Sequence, residues 1–245
     1  MRGISRELAH AATPTTWPWP PQVVDHGVVD TSDEAAGRVD LWGFDVYSSG
    51  LSGPGTTWEN LRPPHADIRQ EAAWLNSLPV DGWRELSVRS AEGAATTRMF
   101  AAPAPDGWFV ALLSDNGIMS YSGEPVRPRP SKAVRSAGLV LAWLDGPVRT
   151  LADLRVQLIN TKKEPWEADP DDSGVVHGHV LGDTRSGWFG YRPLSQSLRD
   201  LEPGEALELS VDFGAITEPS KPGPVEVQAT LLALDLQTGP RWIDF

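Results

Sequence analysis

Eight residues near the C-terminus, from Ala206 to Phe213, alternate between small or polar side chains and large apolar ones. A period of two puts successive side chains on opposite faces of a β-strand, so this run predicts a strand with one buried face. A second apolar run extends from Val225 to Leu236. Because tight Pro-Gly turns precede both runs, we predict that they form a late hairpin in a β-sandwich. The residues expected to face one another across its core are Leu207, Leu209, Val211 and Phe213 on the first run and Val225, Val227 and Leu231 on the second.

The composition of the chain favours a turn-rich globular protein. The 245 residues fit one large domain or two ordinary ones, and the 23 Gly and 22 Pro favour strands joined by turns over a helical bundle. The eleven Trp residues are either core anchors or parts of an aromatic binding surface. For any single Trp we favour the core.

Charge and targeting signals argue against several classes of partner. A net charge of −12 disfavours nucleic acid, because a phosphate backbone requires clustered Lys and Arg. No apolar stretch approaches the roughly 18 residues of a spanning helix and no signal peptide is recognised, so we expect a soluble protein without a membrane partner. The chain has no Cys and therefore no disulfide framework. We expect a cytoplasmic location and, from the excess of Arg over Lys and the abundant Ala, a bacterial origin.

The first half of the sequence predicts an α+β domain, with a small antiparallel sheet and one helix packed on it. The helix is expected from about Pro64 to Leu78, where apolar residues recur at spacings of three and four. Strands are indicated by runs of β-forming residues with turn residues between them. These predicted strands are residues 39–47, 83–89, 96–102, 108–113 and 118–121.

A Trp- and Pro-rich arm precedes this domain. Trp17 and Trp19 alternate with prolines, which favours an extended polyproline II conformation. The arm either lies against the protein's own surface, which we favour, or presents its rings to another protein. In the second case Trp17 and Trp19 are the residues that bind the partner.

The second half of the sequence predicts an immunoglobulin-like β-sandwich. A proline-rich segment at residues 123–136, interpreted as a linker or an extended crossover, divides the chain into predicted domains at 1–130 and 131–245. Regular runs of β-forming residues follow, separated by turn residues, as in a sandwich. These predicted strands are residues 138–144, 152–160, 175–181, 188–191, 206–213 and 225–236.

Four features of this half occur together: a strand that ends in Asn160-Thr161 before a polar turn, the turn at residues 201–205 before a strand, a loop, and Pro222-Gly223 before the last strand. Over about residues 138–236, this arrangement resembles the immunoglobulin-like sandwich of the bacterial intracellular proteinase inhibitor type. The resemblance implies the fold and, for the inhibitors, a loop presented to a protease. No such loop is matched residue by residue, so no site is carried over.

An acidic loop contains part of a calcium-binding pattern. Asp169, Asp171 and Ser173 alternate as ligands of such a loop would, and Gly174 follows where the loop must turn. Val180, however, stands where a bidentate Glu is required. We therefore favour a solvated turn, and Asp169 and Asp171 are weak candidates for metal binding.

Two histidines, His177 and His179, lie two residues apart on a predicted strand and so share one face. Together they could hold zinc if Asp183 or an acid of the 169–172 loop supplied a third ligand. Nothing in the spacing demands that ligand. We favour two histidines on an edge strand, and we predict no bound metal and no cofactor.

No catalytic constellation is recognised, so binding is favoured over catalysis. The leading hypothesis is a soluble bacterial module that binds another protein through loops or edge strands. A metal-assisted hydrolase that uses His177, His179 and the acidic loop is the enzymatic alternative. A third hypothesis is an inhibitor or immunity protein, whose negative charge would suit a basic target. The oligomeric state stays open.

Overall fold

In a computed structural model the protein is mainly β. The structure describes residues 37–61, 78–86, 98–114, 117–182, 196–214, 216 and 223–244. These residues divide into two compact units, with Ser131 the last residue of the first and Lys132 the first residue of the second. The arm with Trp17 and Trp19, nearly all of the predicted helix and the predicted strand at 188–191 lie outside the described residues.

Strands carry the fold, because no helix among the described residues exceeds four residues. The described part of the chain also contains no helix long and apolar enough to cross a membrane. The first unit contains β1 (Arg38–Leu41), β2 (Phe44–Tyr47), α1 (Ser48–Leu51), α2 (Trp58–Leu61), β3 (Arg84–Leu86), β4 (Arg98–Ala104), β5 (Gly107–Ser114), β6 (Gly117–Tyr121) and β7 (Arg129–Pro130). The second unit contains α3 (Lys132–Arg135), β8 (Leu139–Trp143), a 3-10 helix (Leu151–Asp153), β9 (Arg155–Asn160), β10 (Val176–Val180), β11 (Ala206–Asp212), β12 (Val225–Leu231), β13 (Leu236–Gln237) and β14 (Arg241–Ile243).

The single strand predicted at residues 39–47 is wrong, because the chain reverses within it. β1 and β2 form an antiparallel hairpin. Its turn residues, Trp42 and Gly43, have φ of 57° and 85°, and two positive φ angles are what a type I′ turn requires. The Asp40 carboxylate holds this turn, since it accepts a hydrogen bond from the Gly43 amide at 2.7 Å and pairs with Arg129 at 3.1 Å.

A four-stranded antiparallel sheet carries the core of the first unit. Its strand order is β3-β4-β5-β6, so each strand pairs with the next along the chain. The four strands predicted between residues 83 and 121 are confirmed apart from their ends and the residues outside the described part. The buried side chains that pack together here are Trp58, Leu78, Trp83, Phe100, Ala102, Ala111, Leu113 and Tyr121.

The strands of the second unit form one curled sheet. Their order is β13-β12-β10-β11-β9-β8, and β14 pairs with β12 beside β13. The curl brings the two ends of the sheet together, because the Trp143 indole at the end of β8 donates a hydrogen bond to the Gly239 carbonyl after β13, at 2.8 Å. β10 and β11 run parallel over two residues, and the other described pairs of this sheet are antiparallel.

The predicted late hairpin is wrong, because β10 lies between β11 and β12. The second run is also shorter than predicted: β12 ends at Leu231, and Asp235 takes a φ of 52° in the turn that leads to β13. The predicted inner face is confirmed. One core contains the buried side chains of Leu209, Val211, Phe213, Val227 and Leu231, and Leu207 and Val225 pack against it.

The proline-rich segment at residues 123–136 contains paired and buried residues. β7 pairs with β1, and α3 follows at once in the sequence. Lys132 is buried, and its ammonium donates a hydrogen bond to the Leu232 carbonyl at 3.0 Å. That the segment is a linker or an extended crossover stays a prediction.

One polar residue, Asn160, occupies a core position at the end of β9 and is fully buried. Its amide donates hydrogen bonds to the carbonyls of Glu164 and Leu201, at 2.9 and 3.0 Å, and its carbonyl oxygen accepts one from the Lys162 amide at 3.0 Å. Its backbone pairs with residues 204 and 205. The network joins two of the turns noted in the sequence, and it leaves no polar atom of this buried amide side chain without a partner.

Leu209→Ala is expected to destabilise the second unit by about 2–5 kcal/mol, because its removal leaves a cavity in a close-packed core. The Leu209 side chain is 2% exposed. Glu208→Ala is the matched control, since the adjacent side chain is exposed on the other face and should change stability by no more than about 0.5 kcal/mol. Denaturant unfolding of both variants measures the difference. Equal midpoints would contradict the inward orientation of Leu209.

Candidate functional site

The outer face of β10, β12 and β14 carries the side chains with binding chemistry. The buried Val180, Val227 and Ile243 lie on the inner face of the three strands. Because side chains alternate along a strand, the neighbours of these residues point outwards. The outward residues are His177, His179 and Leu181 on β10 and just after it, Glu226, Gln228 and Thr230 on β12, and Trp242 on β14.

One row of this face is exposed. Glu226 lies directly opposite Trp242, and the Leu181 amide donates a hydrogen bond to the Glu226 carbonyl at 2.8 Å, so the three residues lie side by side. We call Leu181, Glu226 and Trp242 the Trp242 row. Trp242 is 65% exposed, Leu181 is 42% exposed and Glu226 is half-buried. The row therefore offers an aromatic ring, a carboxylate and an aliphatic surface to a ligand.

Trp242 differs from the other described Trp residues in its exposure. It lies on a strand that pairs with β12 alone among the described residues. We call the other edge of β14, with which no described residue pairs, the unpaired edge. Sequence reasoning missed this strand, because three residues after a Gly-Pro turn are too few to show a period. The other described Trp residues are buried (Trp58, Trp83, Trp166) or half-buried (Trp42, Trp108, Trp143).

The prediction that His177 and His179 lie on an edge strand is wrong. β10 pairs with β12 on one side and with β11 on the other. His177 is 3% exposed, and its ring meets that of His179 edge-on, with centroids 4.4 Å apart. Cross-strand neighbours of His177 are Thr230 and Asp212. Among the described residues, no group of three His, Cys, Asp or Glu side chains is placed to hold a metal ion; Asp183 lies outside them.

Core packing explains the spacing of the two histidines. Gly178, between them, is on the inner face, and a Cβ at this position would lie 2.6 Å from the Phe213 ring. Only glycine lets the ring approach the backbone so closely. The His-Gly-His pattern is thus accounted for by the core on one side of the strand, without any demand from a ligand on the other.

The acidic loop is organised by a buried ion pair. The Asp169 carboxylate accepts a hydrogen bond from the Asp171 amide at 2.9 Å, which forms an Asx turn. Asp172 is 6% exposed, and both of its carboxylate oxygens accept hydrogen bonds from Arg135, at 3.0 and 3.1 Å. The predicted solvated turn describes the exposed Asp171 but is wrong for Asp172. That Asp169 and Asp171 hold no metal stays a prediction.

Arg135 extends this ion pair into a cluster. Its guanidinium also donates a hydrogen bond to the Ala233 carbonyl at 3.0 Å, and its backbone carbonyl accepts one from the Trp166 indole at 2.8 Å. Such bidentate, buried geometry compensates the desolvation of both charges. We therefore assign the cluster a structural role: it fixes α3 against the turn that follows β12.

Among the described residues, three carboxylates have a lowered pKa, each for a local reason. Hydrogen bonds from the Arg98 guanidinium lower the pKa of Glu85. Backbone amides just before the 3-10 helix lower the pKa of Asp153, and the Glu202 amide lowers that of Glu205. These groups stabilise a cross-strand pair, a helix start and a turn, so their perturbation does not mark a reactive centre.

Comparison of the chain with protein-family models, with curated proteins and with solved structures found no significant match.

Asp172→Asn is expected to cost about 3–5 kcal/mol of stability, because it leaves the Arg135 charge buried without a counter-charge. Asp171→Asn, one residue away and exposed, is the control and should have an effect within about 0.5 kcal/mol. Thermal and denaturant unfolding of the two variants give the comparison. If both variants unfold like the natural protein, the cluster does not stabilise the loop.

Purified protein is expected to contain far less than one zinc ion per chain, because His177 and His179 lack a third ligand among the described residues. Elemental analysis of the protein, with the double variant His177→Ala/His179→Ala as control, measures this. Stoichiometric zinc that disappears in the double variant would contradict the prediction and would favour the hydrolase hypothesis.

Proposed function

We propose that the protein is a protein-binding module and that the Trp242 row forms part of its binding surface. The observation that carries the proposal is the 65% exposure of Trp242 on a strand whose other edge pairs with no described residue. A large aromatic ring gains free energy when an interface removes it from water, and Trp is enriched among the residues that dominate binding energy. The unpaired edge adds backbone donors and acceptors that a partner strand can use.

We also propose that the second unit is an immunoglobulin-like sandwich of the intracellular proteinase inhibitor type. Strand pairing supports this: β8, β9 and β11 form one antiparallel set, and β10, β12 and β14 form another. The sets join through a two-residue parallel pairing of β10 with β11. They correspond to strands A-B-E and C-F-G of an immunoglobulin-like domain. The proposed domain organisation is an α+β domain at residues 1–130 followed by the sandwich at residues 131–245.

A bacterial, cytoplasmic setting completes the proposal. It is supported by the complete lack of Cys and by the excess of Arg over Lys in the sequence. An inhibitor of a basic target is a special case of the same function, since the chain carries a net charge of −12. In that case the Trp242 row is the surface that meets the target.

Site-specific photo-cross-linking tests the binding surface. Trp242 is replaced by the aromatic cross-linker p-benzoylphenylalanine, and the exposed Val140 on β8 is replaced in a matched control variant. Irradiation in cell extract is expected to give one discrete cross-linked protein for position 242 and not for position 140, identified by mass spectrometry. Absence of a discrete product at 242, or the same products from both positions, would count against the proposal.

A further inference from the structure

We infer that the Trp242 row binds an extended basic segment of the partner, with an Arg or Lys side chain lying on the Trp242 indole. The inference rests on the proposed function and adds the chemistry of the partner. In the row, the carboxylate of Glu226 neighbours the indole of Trp242. Directly paired side chains on antiparallel strands lie about 4.5–5.5 Å apart at Cβ, so a cation on the ring is also within reach of the carboxylate.

The first unit of the same chain contains this arrangement with its cation in place. Glu85 on β3 lies directly opposite Phe100 on β4, as Glu226 lies opposite Trp242. The Arg98 guanidinium lies 4.8 Å from the centre of the Phe100 ring and also binds the Glu85 carboxylate at 2.8 Å. An acid and an aromatic ring paired across two strands thus both contact one guanidinium, which here comes from the strand of the ring, two residues before it.

The Trp242 row has the acid and the ring, but none of the described residues supplies the cation. No described ion pair involves Glu226, and no described guanidinium lies on Trp242. The basic residue of β14 itself, Arg241, points away, since its guanidinium donates a hydrogen bond to the Leu144 carbonyl at 3.1 Å and lies 3.9 Å from Asp145. A cation from another molecule would complete the arrangement.

The unpaired edge of β14 determines how that cation arrives. An extended segment that pairs with this edge places one residue opposite Trp242, on the same outer face. If that residue is Arg or Lys, its side chain can cross the face of the indole and bring its charge within reach of Glu226, which lies on the far side of Trp242. Such an added strand would run beside β14. Its residue opposite Trp242 would then lie on the same face as the indole and the Glu226 carboxylate. The net charge of −12 attracts such a segment at longer range.

Binding of three labelled peptides to the full chain tests the inference. The probes are fluorescein-labelled peptides of about nine residues that alternate Val with Arg, with Gln or with Glu, a pattern that favours an extended strand. Fluorescence anisotropy measures their affinity for the natural protein, for Trp242→Ala and for Glu226→Gln. Val140→Ala, on the exposed face of another strand, is the matched control.

The Arg peptide is expected to bind the natural protein about tenfold more tightly than the Gln peptide, and the Glu peptide more weakly still. Trp242→Ala and Glu226→Gln should each weaken the Arg peptide about 3–10-fold. Val140→Ala should leave it unchanged. Equal affinity for the Arg and Gln peptides overturns the inference, and so does Arg-peptide binding that neither substitution weakens, because the peptide then binds the acidic surface in general.

Failure of this inference can be told apart from failure of the proposed function. If cross-linking at position 242 captures a discrete partner but the Arg and Gln peptides bind alike, the binding surface stands and its basic specificity falls. If neither cross-linking nor peptide binding depends on Trp242, both fall. A concentration-dependent dimer whose formation Trp242→Ala abolishes would also overturn the inference, because a second copy would then cover the row.

Discussion

The second unit depends on a buried amide at the end of β9. Asn160 continues the inner face of its strand, where an unpaired polar group would cost about 1–3 kcal/mol. Its hydrogen bond to the Leu201 carbonyl and its backbone bonds to residues 204 and 205 are made only if the turn at residues 201–205 lies against it. That turn leads directly into β11, so pairing of the amide also sets where β11 starts. Because a slip of one residue would turn every side chain of β11 to the other face, the register of the core follows from this contact.

The proposed binding face is a consequence of strand register in the same way. Once β12 and β14 bury Val227 and Ile243, alternation leaves Glu226 and Trp242 on the outside. Selection for a well-packed core can place residues on this outer face but cannot choose which residues they are. Core packing does not explain the exposed Trp242, and the binding surface proposed above offers a reason for it.

The buried face of a strand could be predicted from the sequence, whereas the strands that pair with it could not. The alternation in β11 identified its buried side chains because burial depends on one strand at a time. The order β12-β10-β11 depends on contacts between residues far apart in the chain, and no local pattern contains them. The same limit explains the error for His177 and His179, since whether β10 lies at an edge or inside a sheet is a property of the whole sheet.

The residues of the candidate site were hidden for related reasons. Asp172 looks like one acid of a polar loop, and its partner Arg135 is 37 positions away. Trp242 is one of eleven Trp residues, the other described ones are buried or half-buried, and its strand is too short to be recognised from a period. Trp17 and Trp19 could be proposed from the sequence because the prolines next to them are a local signal, but both residues lie outside the described part of the chain. Chemistry that depends on residue type was visible, and chemistry that depends on position in a sheet was not.

The two pairs of acid and aromatic ring differ in what their cation contributes. Arg98, held by Glu85 and Phe100, is partly exposed, and such an ion pair adds about 0–1 kcal/mol to folding because water already solvates both charges. A cation that the proposed partner brings to Trp242 would be covered as the interface forms, and loss of water raises a cation–π contact from about 0.5–1 to about 2 kcal/mol. The pair is thus worth more in an interface than within one chain. Leaving the Trp242 row without a cation in the free protein therefore costs little folding stability. The same contact would contribute more to binding, because it becomes strong only when water is excluded.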